Sequence, residues 1–361
     1  MFGKYVVVLG LLSAVLSAGV KLEHKIGQML MVGFHGTSAT KNSQICRDIK
    51  TYNLGAVILF DYNPVNKSKP KNISNVKQLK NLTKQLQSCS KDEKLLIAVD
   101  QEGGRVQRLK SKYGFYGKFP KASDVIKMDQ SKIKATYTKM SKELKSVGIN
   151  YDLAPVVDLD INKKNHVIHG LGRSFGKNPK LVAKYASTFI DAMHSNGVLT
   201  SIKHFPGHGS SVGDTHKGFV DVTNLWKEVE LEPYRLLKDK ADTVMVAHVF
   251  NKKLDSKYPA SLSYKTITKL LRWELGYHGV VITDDLQMGA ISKKYGLKNT
   301  LKLAINAGDD ILLIGNQLDP RKVQSTKTLV ATIRALVKSG EVKEETITKA
   351  YKRIQLLKQK L

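Results

Sequence analysis

The sequence predicts a single (β/α)8 barrel of the TIM type, and three observations support this fold class. Eight short runs rich in Val, Ile and Leu alternate with longer amphipathic segments, as expected when a parallel sheet is covered by helices on its outer face. Polar residues cluster where the apolar runs end, which is where barrel enzymes carry their active sites. The eight predicted strands are Gln28–Phe34, Gly55–Phe60, Leu95–Asp100, Asp152–Asp158, Thr200–His204, Thr243–His248, Gly279–Asp285 and Asp309–Gly315.

Helical periodicity fills the intervals between these strands. The last predicted helix has acidic residues early and basic residues late, as the helix dipole favours. A doubly wound open sheet is the alternative fold, but Gly33–Gly36 after the first strand lacks the spacing of a dinucleotide-binding loop. The main predicted helices are Asn75–Ser88, Gln130–Val147, Pro179–Ser195, Leu225–Asp239, Tyr264–Leu275, Tyr295–Asn306, Arg321–Lys338 and Glu344–Lys360.

The composition is that of a globular protein with a strongly basic surface. Hydrophobic residues make up 42% of the 361 residues, and 59 Lys+Arg against 31 Asp+Glu give a net charge of +28. The lysines are scattered, without the Arg-rich or aromatic-interleaved tracts of nucleic-acid binders, so we expect no specific nucleic-acid partner. A loose association with an anionic cell wall fits the charge better. The Lys-rich stretch Asn63–Lys71 is interpreted as a solvated loop.

The first residues predict a secretory signal peptide over 1–19, followed by one catalytic domain over 20–361. A Lys at position 4 precedes the apolar run Tyr5–Leu16 and the small residues Ser17–Gly19. A buried first strand or helix is the alternative. We therefore expect a periplasmic or secreted protein, with the cytoplasm as second choice and no membrane span in the mature chain. Cys46 and Cys89 are the two cysteines, and the sequence leaves their pairing open.

Charged side chains follow five of the predicted strands. Because the carboxyl ends of parallel barrel strands share one rim, these groups are expected to lie close together. Taken singly, each has a simpler explanation, such as a capped turn or a polar loop. They are Asp100 and Arg108 after the third strand, Asp158 and Arg173 after the fourth, Lys203 and His204 at the fifth, His248 at the sixth, and Asp284 and Asp285 at the seventh.

Three of the polar residues suit glycoside hydrolysis. Asp284 directly follows the apolar run Val280–Thr283, so its carboxylate would be rigidly held as a nucleophile for an anomeric carbon. An unperturbed imidazole titrates near neutrality, so a histidine at position 216 suits an acid/base, with Asp214 two residues earlier to orient it. A capping role fits Asp285 better than Asp284. The side chains predicted to bind sugar hydroxyls are Asp100, Arg108, Arg173, Lys203 and His204.

Five motifs resemble glycoside hydrolase family 3, and within it the NagZ-type β-N-acetylglucosaminidases. They are Val99–Arg108 (VDQEGGRVQR), Gly172–Phe175 (GRSF), Lys203–Gly209 (KHFPGHG), Asp214–His216 (DTH) and Thr283–Met288 (TDDLQM). The resemblance covers roughly residues 25 to 315. It implies a TIM-like barrel and retaining hydrolysis of terminal β-linked N-acetylglucosamine from a muropeptide or similar oligosaccharide, without metal or cofactor. It also implies the same roles for the catalytic and sugar-binding residues named above.

Two departures from the family pattern accompany the resemblance. Many members carry a second C-terminal α/β domain, which we do not expect here because 361 residues leave too few after the barrel. The segment Asn162–Leu171 is longer than the usual form, which raises the expectation that Arg173 sits differently in the pocket.

Several alternative functions stay open at the level of sequence. A metal-dependent barrel hydrolase would use His204, His248 and Asp284 as ligands and Lys203 as a bridge, but no His-x-His pair follows the first strand. A β-glucosidase or a phosphate-dependent glycosidase would keep the fold and change the substrate or acceptor. A non-catalytic wall-binding protein would keep the barrel fold and lack the hydrolytic activity.

Overall fold

Eight parallel strands form one sheet in the computed structural model, which describes residues 19–90 and 93–361. The strands pair in the order β7-β6-β5-β4-β3-β2-β1-β8. A parallel bridge between Ile282 of β7 and Ile311, just before β8, closes the ring into the predicted (β/α)8 barrel. The strands are β1 Leu30–Gly33, β2 Ala56–Ile58, β3 Leu96–Val99, β4 Tyr151–Asp152, β5 Leu199–Phe205, β6 Thr243–Val246, β7 Val280–Thr283 and β8 Leu312–Ile314.

Helices cover the outside of the barrel, and every residue of the eight strands is buried. This burial on both faces explains why the strand sequences are continuously apolar and do not alternate with polar residues. The segment Lys265–Glu274 is π-helical, and a 3-10 turn over Glu228–Leu231 leads into the next helix. The α-helices are Leu22–Gln28, Gln44–Tyr52, Val76–Cys89, Ala122–Val125, Gln130–Ser146, Pro179–His194, Glu232–Leu237, Gly289–Ser292, Leu297–Ala307, Thr326–Lys338 and Glu344–Lys358.

The fourth strand is much shorter than predicted. Only Tyr151–Asp152 forms regular ladder, whereas the sequence predicted Asp152–Asp158. Pro155 has no N–H to donate, so the ladder breaks there. The chain nevertheless stays beside β5, because Val157 N donates to Lys203 O at 2.9 Å. The predicted helix Leu225–Asp239 is likewise reduced to Glu232–Leu237, since Pro233 is tolerated only in the first helical turn.

The two cysteines form a disulfide, which settles the pairing that the sequence left open. Cys46 and Cys89 have their Cα atoms 5.3 Å apart and link the helices Gln44–Tyr52 and Val76–Cys89. Residues 65–69 form an exposed loop as predicted, but Lys71 at its end is buried. Its ammonium donates to Asn316 O at 2.6 Å and to Gly315 O at 3.2 Å, so the interpretation of the whole stretch as solvated was wrong for Lys71.

The predicted signal peptide, apart from Gly19, lies outside the described residues. Within 19–90 and 93–361, no helix is long and apolar enough to cross a membrane.

Candidate active site

A cavity of about 670 Å³ opens at the carboxyl ends of the barrel strands. Its walls come from the segments that follow β2, β3, β4, β5, β7 and β8. A cavity of this size lies within the range typical of small-molecule sites. All eight residues predicted as catalytic or sugar-binding line it: Asp100, Arg108, Arg173, Lys203, His204, Asp214, His216 and Asp284.

Alternating carboxylates and cations form one side of this cavity. Asp100 accepts from Arg108 Nη2 at 2.9 Å and from Lys203 Nζ at 3.0 Å. The Lys203 ammonium also lies 2.7 Å from Glu102 Oε1. Arg173 binds Glu102 with two parallel contacts of 2.8 Å, through Nε and Nη2. Each ion therefore has an oppositely charged neighbour, which is the condition for keeping charges in a buried site.

The charge pairing lowers the pKa of both carboxylates. Burial alone would raise the pKa of Glu102, but Arg173 and Lys203 outweigh it and bring the pKa down to about 2. Asp100 behaves in the same way beside Lys203 and Arg108, and its pKa lies far below the ordinary range. Both groups are thus anionic at neutral pH, and they hold the cationic donors in fixed positions.

His204 is oriented by a buried aspartate. Its Nδ1 lies 2.6 Å from Asp158 Oδ2, and its Nε2 lies 3.4 Å from Arg173 Nη2. Because a guanidinium can only donate, Nε2 is the acceptor and the imidazole proton resides on Nδ1. Backbone N–H groups of His204 and His208 donate to the other oxygen of Asp158, at 3.2 and 2.7 Å. Asp158 therefore fixes both the ring orientation and the tautomer of His204.

Asp284 lies at the end of β7 and points its carboxylate into the cavity. Its backbone N–H donates to Val246 O at 3.0 Å, which anchors it to β6. The Oδ1 atom accepts from Asp285 N at 2.8 Å, while Oδ2 makes no hydrogen bond to the described residues. Burial tends to raise the pKa of Asp284, but His248, His204 and His216 together lower it below the ordinary value. The carboxylate is therefore anionic at neutral pH.

Asp214 and His216 form the predicted pair on the segment between β5 and β6. His216 Nδ1 lies 2.9 Å from Asp214 Oδ1, and its backbone N–H donates to the same oxygen at 3.0 Å. The segment is attached to the barrel by hydrogen bonds from Gly289 N to His216 O and from Ala290 N to Thr215 O, at 3.2 and 3.1 Å. The His216 side chain is 55% exposed.

Asp285 differs from its neighbour. Its Oδ1 accepts from the backbone N–H groups of Gln287 and Gly315, at 3.0 and 3.1 Å. The carboxylate thus caps the turn after β7, in line with the expectation that capping fits Asp285 better than Asp284. Burial raises the pKa of Asp285 to about 6.

The long segment Asn162–Leu171 leaves Arg173 in the cavity. Asn165 is buried and donates to His208 O at 2.8 Å and to Gly209 O at 3.1 Å, so the segment supports the start of the loop that carries His216. Arg173 stays paired with Glu102 on the cavity wall.

Sequence reasoning missed three side chains that shape the site. Glu102 lies two residues after Asp100 in a motif already recognised, and this spacing was the available signal. Asp158 was placed at a strand end without a role. His208 is buried beside Ser211, whose Oγ lies 2.9 Å from Nδ1, and burial lowers its pKa to about 4. His208 is therefore a neutral structural residue of the cavity wall.

The metal-site alternative receives no support from the geometry. His248 uses Nδ1 for Ser261 Oγ at 2.6 Å and Nε2 for Asp285 O at 2.9 Å. His204 is engaged by Asp158 and Arg173. In the part of the chain that the structure describes, no group of three or more His, Cys, Asp or Glu side chains is arranged to hold a metal ion.

Comparison with known proteins identifies the family. The sequence profile of the glycosyl hydrolase family 3 N-terminal domain matches residues 21–357. The chain belongs to glycosyl hydrolase family 3. Among relatives of this family, the β-hexosaminidase of Tolumonas auensis is 37% identical over 73% of this chain and 76% of its own length. The β-hexosaminidase A of Pseudoalteromonas piscicida is 32% identical over 93% of this chain and 60% of its own length.

Solved structures of similar proteins share the fold. A family 3 β-N-acetylglucosaminidase from Paenibacillus sp. FPU-7 has a TM-score of 0.84 at 33% identity, covering 95% of this chain and 63% of the other. A β-N-acetylhexosaminidase from Beutenbergia cavernae has a TM-score of 0.83 at 29% identity, covering 95% and 99%. The chain thus spans about three fifths of the Pseudoalteromonas and Paenibacillus relatives and nearly the whole of the Beutenbergia protein.

Proposed function

We propose that this family 3 chain is a retaining exo-β-N-acetylhexosaminidase that removes terminal β-linked N-acetylglucosamine. The observation that carries the proposal is the pairing of two features in one cavity. Asp284 presents an anionic carboxylate with one oxygen that makes no hydrogen bond to the described residues, and His216 is an exposed imidazole oriented by Asp214. A nucleophile and a proton donor on one sugar site are the two requirements of retaining glycoside hydrolysis. The choice of N-acetylglucosamine as the sugar rests on the names of the relatives, which are β-hexosaminidases and a β-N-acetylglucosaminidase.

In the first chemical step, Asp284 Oδ2 attacks the anomeric carbon and forms a glycosyl ester. The bond between that carbon and the glycosidic oxygen breaks, and its electron pair goes to the oxygen, which takes a proton from Nε2 of the His216 imidazolium. Nδ1–H of His216 remains hydrogen-bonded to Asp214, whose negative charge stabilises the imidazolium before transfer. The leaving group therefore departs as a neutral alcohol.

In the second step, neutral His216 takes a proton from water as the water oxygen attacks the anomeric carbon. The ester bond breaks and its electron pair returns to Asp284. The two inversions give net retention, and both catalytic groups return to their starting protonation states. The low pKa of Asp284 suits its role twice, because an anionic carboxylate is both the attacking group and the leaving group.

The ion network of the catalytic cavity is proposed to bind the sugar hydroxyls. Asp100 offers acceptors, and Arg108, Arg173 and Lys203 offer donors whose positions are fixed by their mutual pairing. His204 completes the set, with its tautomer held by Asp158. Preorganised polar groups of this kind stabilise the charge that develops in an oxocarbenium-like transition state.

We further propose that the natural substrate is a peptidoglycan fragment and that the protein acts outside the cytoplasm. The predicted signal peptide supports export, and so does the Cys46–Cys89 disulfide, because disulfides persist in oxidising compartments. The net charge of +28 favours contact with an anionic wall. Mass spectrometry of protein recovered from the host tests this directly. A chain beginning near residue 20 in the extracytoplasmic fraction is expected, and an intact Met1 in the cytoplasm would contradict it.

The activity is tested by hydrolysis of 4-nitrophenyl β-N-acetylglucosaminide beside the matching β-glucoside, without added metal or phosphate. We expect clear preference for the acetamido sugar, and proton NMR should show the β anomer as the first product. Preference for the glucoside would indicate a β-glucosidase with the same mechanism. Release of the α anomer as the first product would refute the covalent mechanism. Turnover that requires phosphate would indicate a phosphorylase, and binding without turnover of either substrate would indicate a non-catalytic barrel.

A further inference from the structure

Lys71 is a buried lysine beside the catalytic cavity, and the proposed mechanism gives it no role. Its side chain is 1% exposed, and its ammonium forms no ion pair with the described residues. The acceptors are instead two backbone carbonyls, Asn316 O at 2.6 Å and Gly315 O at 3.2 Å. Burial of an ammonium without a carboxylate beside it is unfavourable, so the stability of the barrel does not explain this charge.

The backbone that carries Lys71 is fastened to the ends of β1 and β2. Phe60 N donates to Asn72 Oδ1 at 3.0 Å, and Asn72 N donates to Phe60 O at 3.0 Å. Asn72 Nδ2 donates to Phe34 O at 3.0 Å and to Gly36 O at 3.1 Å. Gly36 N in turn donates to Lys71 O at 3.2 Å. The Lys71 side chain therefore starts from a fixed point on the rim.

Gly315, one of the two acceptors, leads towards the proposed nucleophile. Gly315 N donates to Asp285 Oδ1 at 3.1 Å, and Asp285 N donates to Asp284 Oδ1 at 2.8 Å. The contact between Gly315 and Asp285 is close, because a Cβ at position 315 would collide with Asp285 Oδ2. Lys71 is therefore connected to the Asp284 carboxylate through two residues, Gly315 and Asp285.

Asn316, the other acceptor, is attached to the same turn after β7. Its N–H donates to Gln287 Oε1 at 2.7 Å. Its backbone has a φ of 47°, a left-handed conformation that asparagine tolerates better than most residues. Its side chain donates to Gly33 O at 3.0 Å and accepts from Gln324 N at 2.9 Å. Both carbonyls that accept from Lys71 thus belong to a segment that supports the turn following Asp284.

Lys71 also contacts a side chain of the catalytic cavity. Its ammonium lies 4.7 Å from the centre of the Phe60 ring, and the guanidinium carbon of Arg108 lies 5.4 Å from the same centre. The Phe60 ring lines the cavity. Cation–π contacts of this kind are attractive, so Phe60 lies between Lys71 and a residue proposed to bind the sugar.

We propose that Lys71 is a positioning residue for Asp284, and that its ammonium holds the segment after β8 against the turn that follows the nucleophile. Lys71 does not line the catalytic cavity, so it acts through Gly315 and Asp285 and not on the substrate. Hydrogen bonds from a charged donor are about twice as strong as those from a neutral one, so this hold weakens when the ammonium loses its proton. The proposal rests on the proposed function and adds a pH dependence that is independent of His216.

The titration of Lys71 falls in the range where a glycosidase is assayed. Burial lowers the pKa of Lys71 to about 7, although the charge of Asp285 opposes this shift. Three other charged or titratable groups face this region from the segments after β1, β3 and β7. Burial raises the pKa of Asp285 to about 6, burial and Lys71 lower the pKa of His35, and Arg108 stays cationic. The ammonium therefore predominates below about pH 7, and its hold declines as the pH rises through that value.

The test uses 2,4-dinitrophenyl β-N-acetylglucosaminide, whose leaving group departs without a proton. The value of kcat/KM reports the first chemical step, so with this substrate His216 is not required as an acid. In the wild type we expect kcat/KM to fall about fivefold to a plateau as the pH rises from about 6 to about 8.5, because charged hydrogen bonds become neutral ones. Lys71→Met should be about tenfold slower than the wild type near pH 6 and show no such fall.

Lys71→Arg separates loss of the charge from loss of the side chain. A guanidinium stays protonated across this range, so the variant should be faster than Lys71→Met near pH 6 and show no fall at higher pH. A flat wild-type profile would overturn the proposal, and so would a fall that persists in either folded variant or wild-type rates in Lys71→Met. Circular dichroism checks folding, and the profile of Lys71→Arg decides if Lys71→Met does not fold.

Lys358→Met is the matched control. Lys358 is also buried, its ammonium donates to Gln28 Oε1 at 2.6 Å, and burial lowers its pKa to about 8. Gln28 precedes β1, so this lysine lies at the opposite end of the barrel from the cavity. The control should lose stability but keep the wild-type rate and pH profile, and loss of the fall in Lys358→Met would contradict a specific role for Lys71. Failure of the wild type to hydrolyse any β-N-acetylglucosaminide would instead refute the proposed function.

Discussion

Glu102 and Arg173 form a two-point ion pair across 71 positions of sequence, with both nitrogen–oxygen distances at 2.8 Å. Both side chains are almost fully buried in the cavity wall. The pair joins the segment after β3 to the segment after β4, and Lys203 of β5 contacts the same carboxylate. Three neighbouring strands are thus fastened together at the rim by one glutamate.

Glu102→Gln is expected to reduce the free energy of unfolding by about 3 to 5 kcal/mol at pH 7, because it leaves Arg173 and Lys203 buried without their shared anion. The pKa of Glu102 in the folded protein is about 2, below its ordinary value of 4.5. A depressed carboxylate pKa stabilises the fold above about pH 4.5, and this contribution is lost as the pH falls towards 2. Urea unfolding at pH 7, 4 and 3 should show the two proteins converging at low pH.

Glu341→Gln is the control for this stability measurement. Glu341 also has its pKa lowered to about 2, through Lys298 and Lys302, but it lies in solvent-exposed surroundings where water and salt screen the pair. It should therefore change stability much less. Equal losses in the two variants would contradict a special role for burial at Glu102.

Asp284→Ala should reduce kcat by at least about a thousandfold, because the covalent step loses its nucleophile. His216→Ala should slow turnover by about a hundredfold or more on substrates with poor leaving groups. The His216 defect should shrink with 2,4-dinitrophenyl β-N-acetylglucosaminide, whose leaving group needs no proton, whereas the Asp284 defect should persist. Steady-state rates on this series of leaving groups provide the check. Appreciable turnover by Asp284→Ala would exclude the mechanism.

Asp158→Asn should weaken sugar binding indirectly, because residue 158 contacts His204 and does not itself line the cavity. Backbone N–H groups of His204 and His208 keep the side-chain oxygen, so the new NH₂ faces His204 Nδ1 and drives the imidazole proton to Nε2. That proton then meets the donating guanidinium of Arg173. We expect kcat/KM to fall about 10- to 100-fold, and ¹⁵N NMR to report the changed tautomer.

Asp160→Asn is the matched control for the tautomer experiment. Asp160 also bonds a histidine, with His169 Nδ1 at 2.8 Å, but it does not line the catalytic cavity. Its substitution should leave kcat/KM near the wild-type value. A loss as large as that of Asp158→Asn would indicate general damage to the fold.

Replacing both cysteines by Ser should destabilise the oxidised protein by about 4 kcal/mol, from the loop-closure entropy of a crosslink across 43 positions. Either single substitution should cost about as much as the double one, since each breaks the same bond. Denaturant unfolding with and without reductant provides the measurement. Insensitivity of the wild type to reductant, with the thiols demonstrably reduced, would contradict the stabilising role.

The barrel, and the gathering of the predicted residues in one cavity, followed from the sequence because both depend on local pattern. Buried strands are continuously apolar, and the residues that end them share a rim, so Asp100, Lys203 and Asp284 could be placed together without coordinates. The end of β4 was misjudged because Pro155 breaks the ladder while the neighbouring residues still read as an apolar strand. The partner of each charged side chain was harder to predict from the sequence.

Pairing across long separations was beyond the sequence. Glu102 meets Arg173 and Lys203 only after three strands are assembled, so its position two residues after Asp100 placed it near the site without revealing its partners. Lys71 looked like one more surface lysine, yet its ammonium binds the backbone carbonyls of Gly315 and Asn316, more than 240 positions away. A lysine in a Lys-rich stretch is expected to be solvated. Its buried hydrogen-bond acceptors become visible only in the tertiary structure.

The two proposed catalytic groups belong to different kinds of structural element. Asp284 is part of the barrel wall, whereas Asp214 and His216 lie together on one continuous connection between β5 and β6. Substituting that connection as a unit would exchange the proposed proton donor and its orienting carboxylate in a single genetic event, while the ion network of the cavity stays unchanged. Changes confined to the connection between β5 and β6 could therefore alter leaving-group preference during evolution. A mutant library restricted to this connection could explore the same changes.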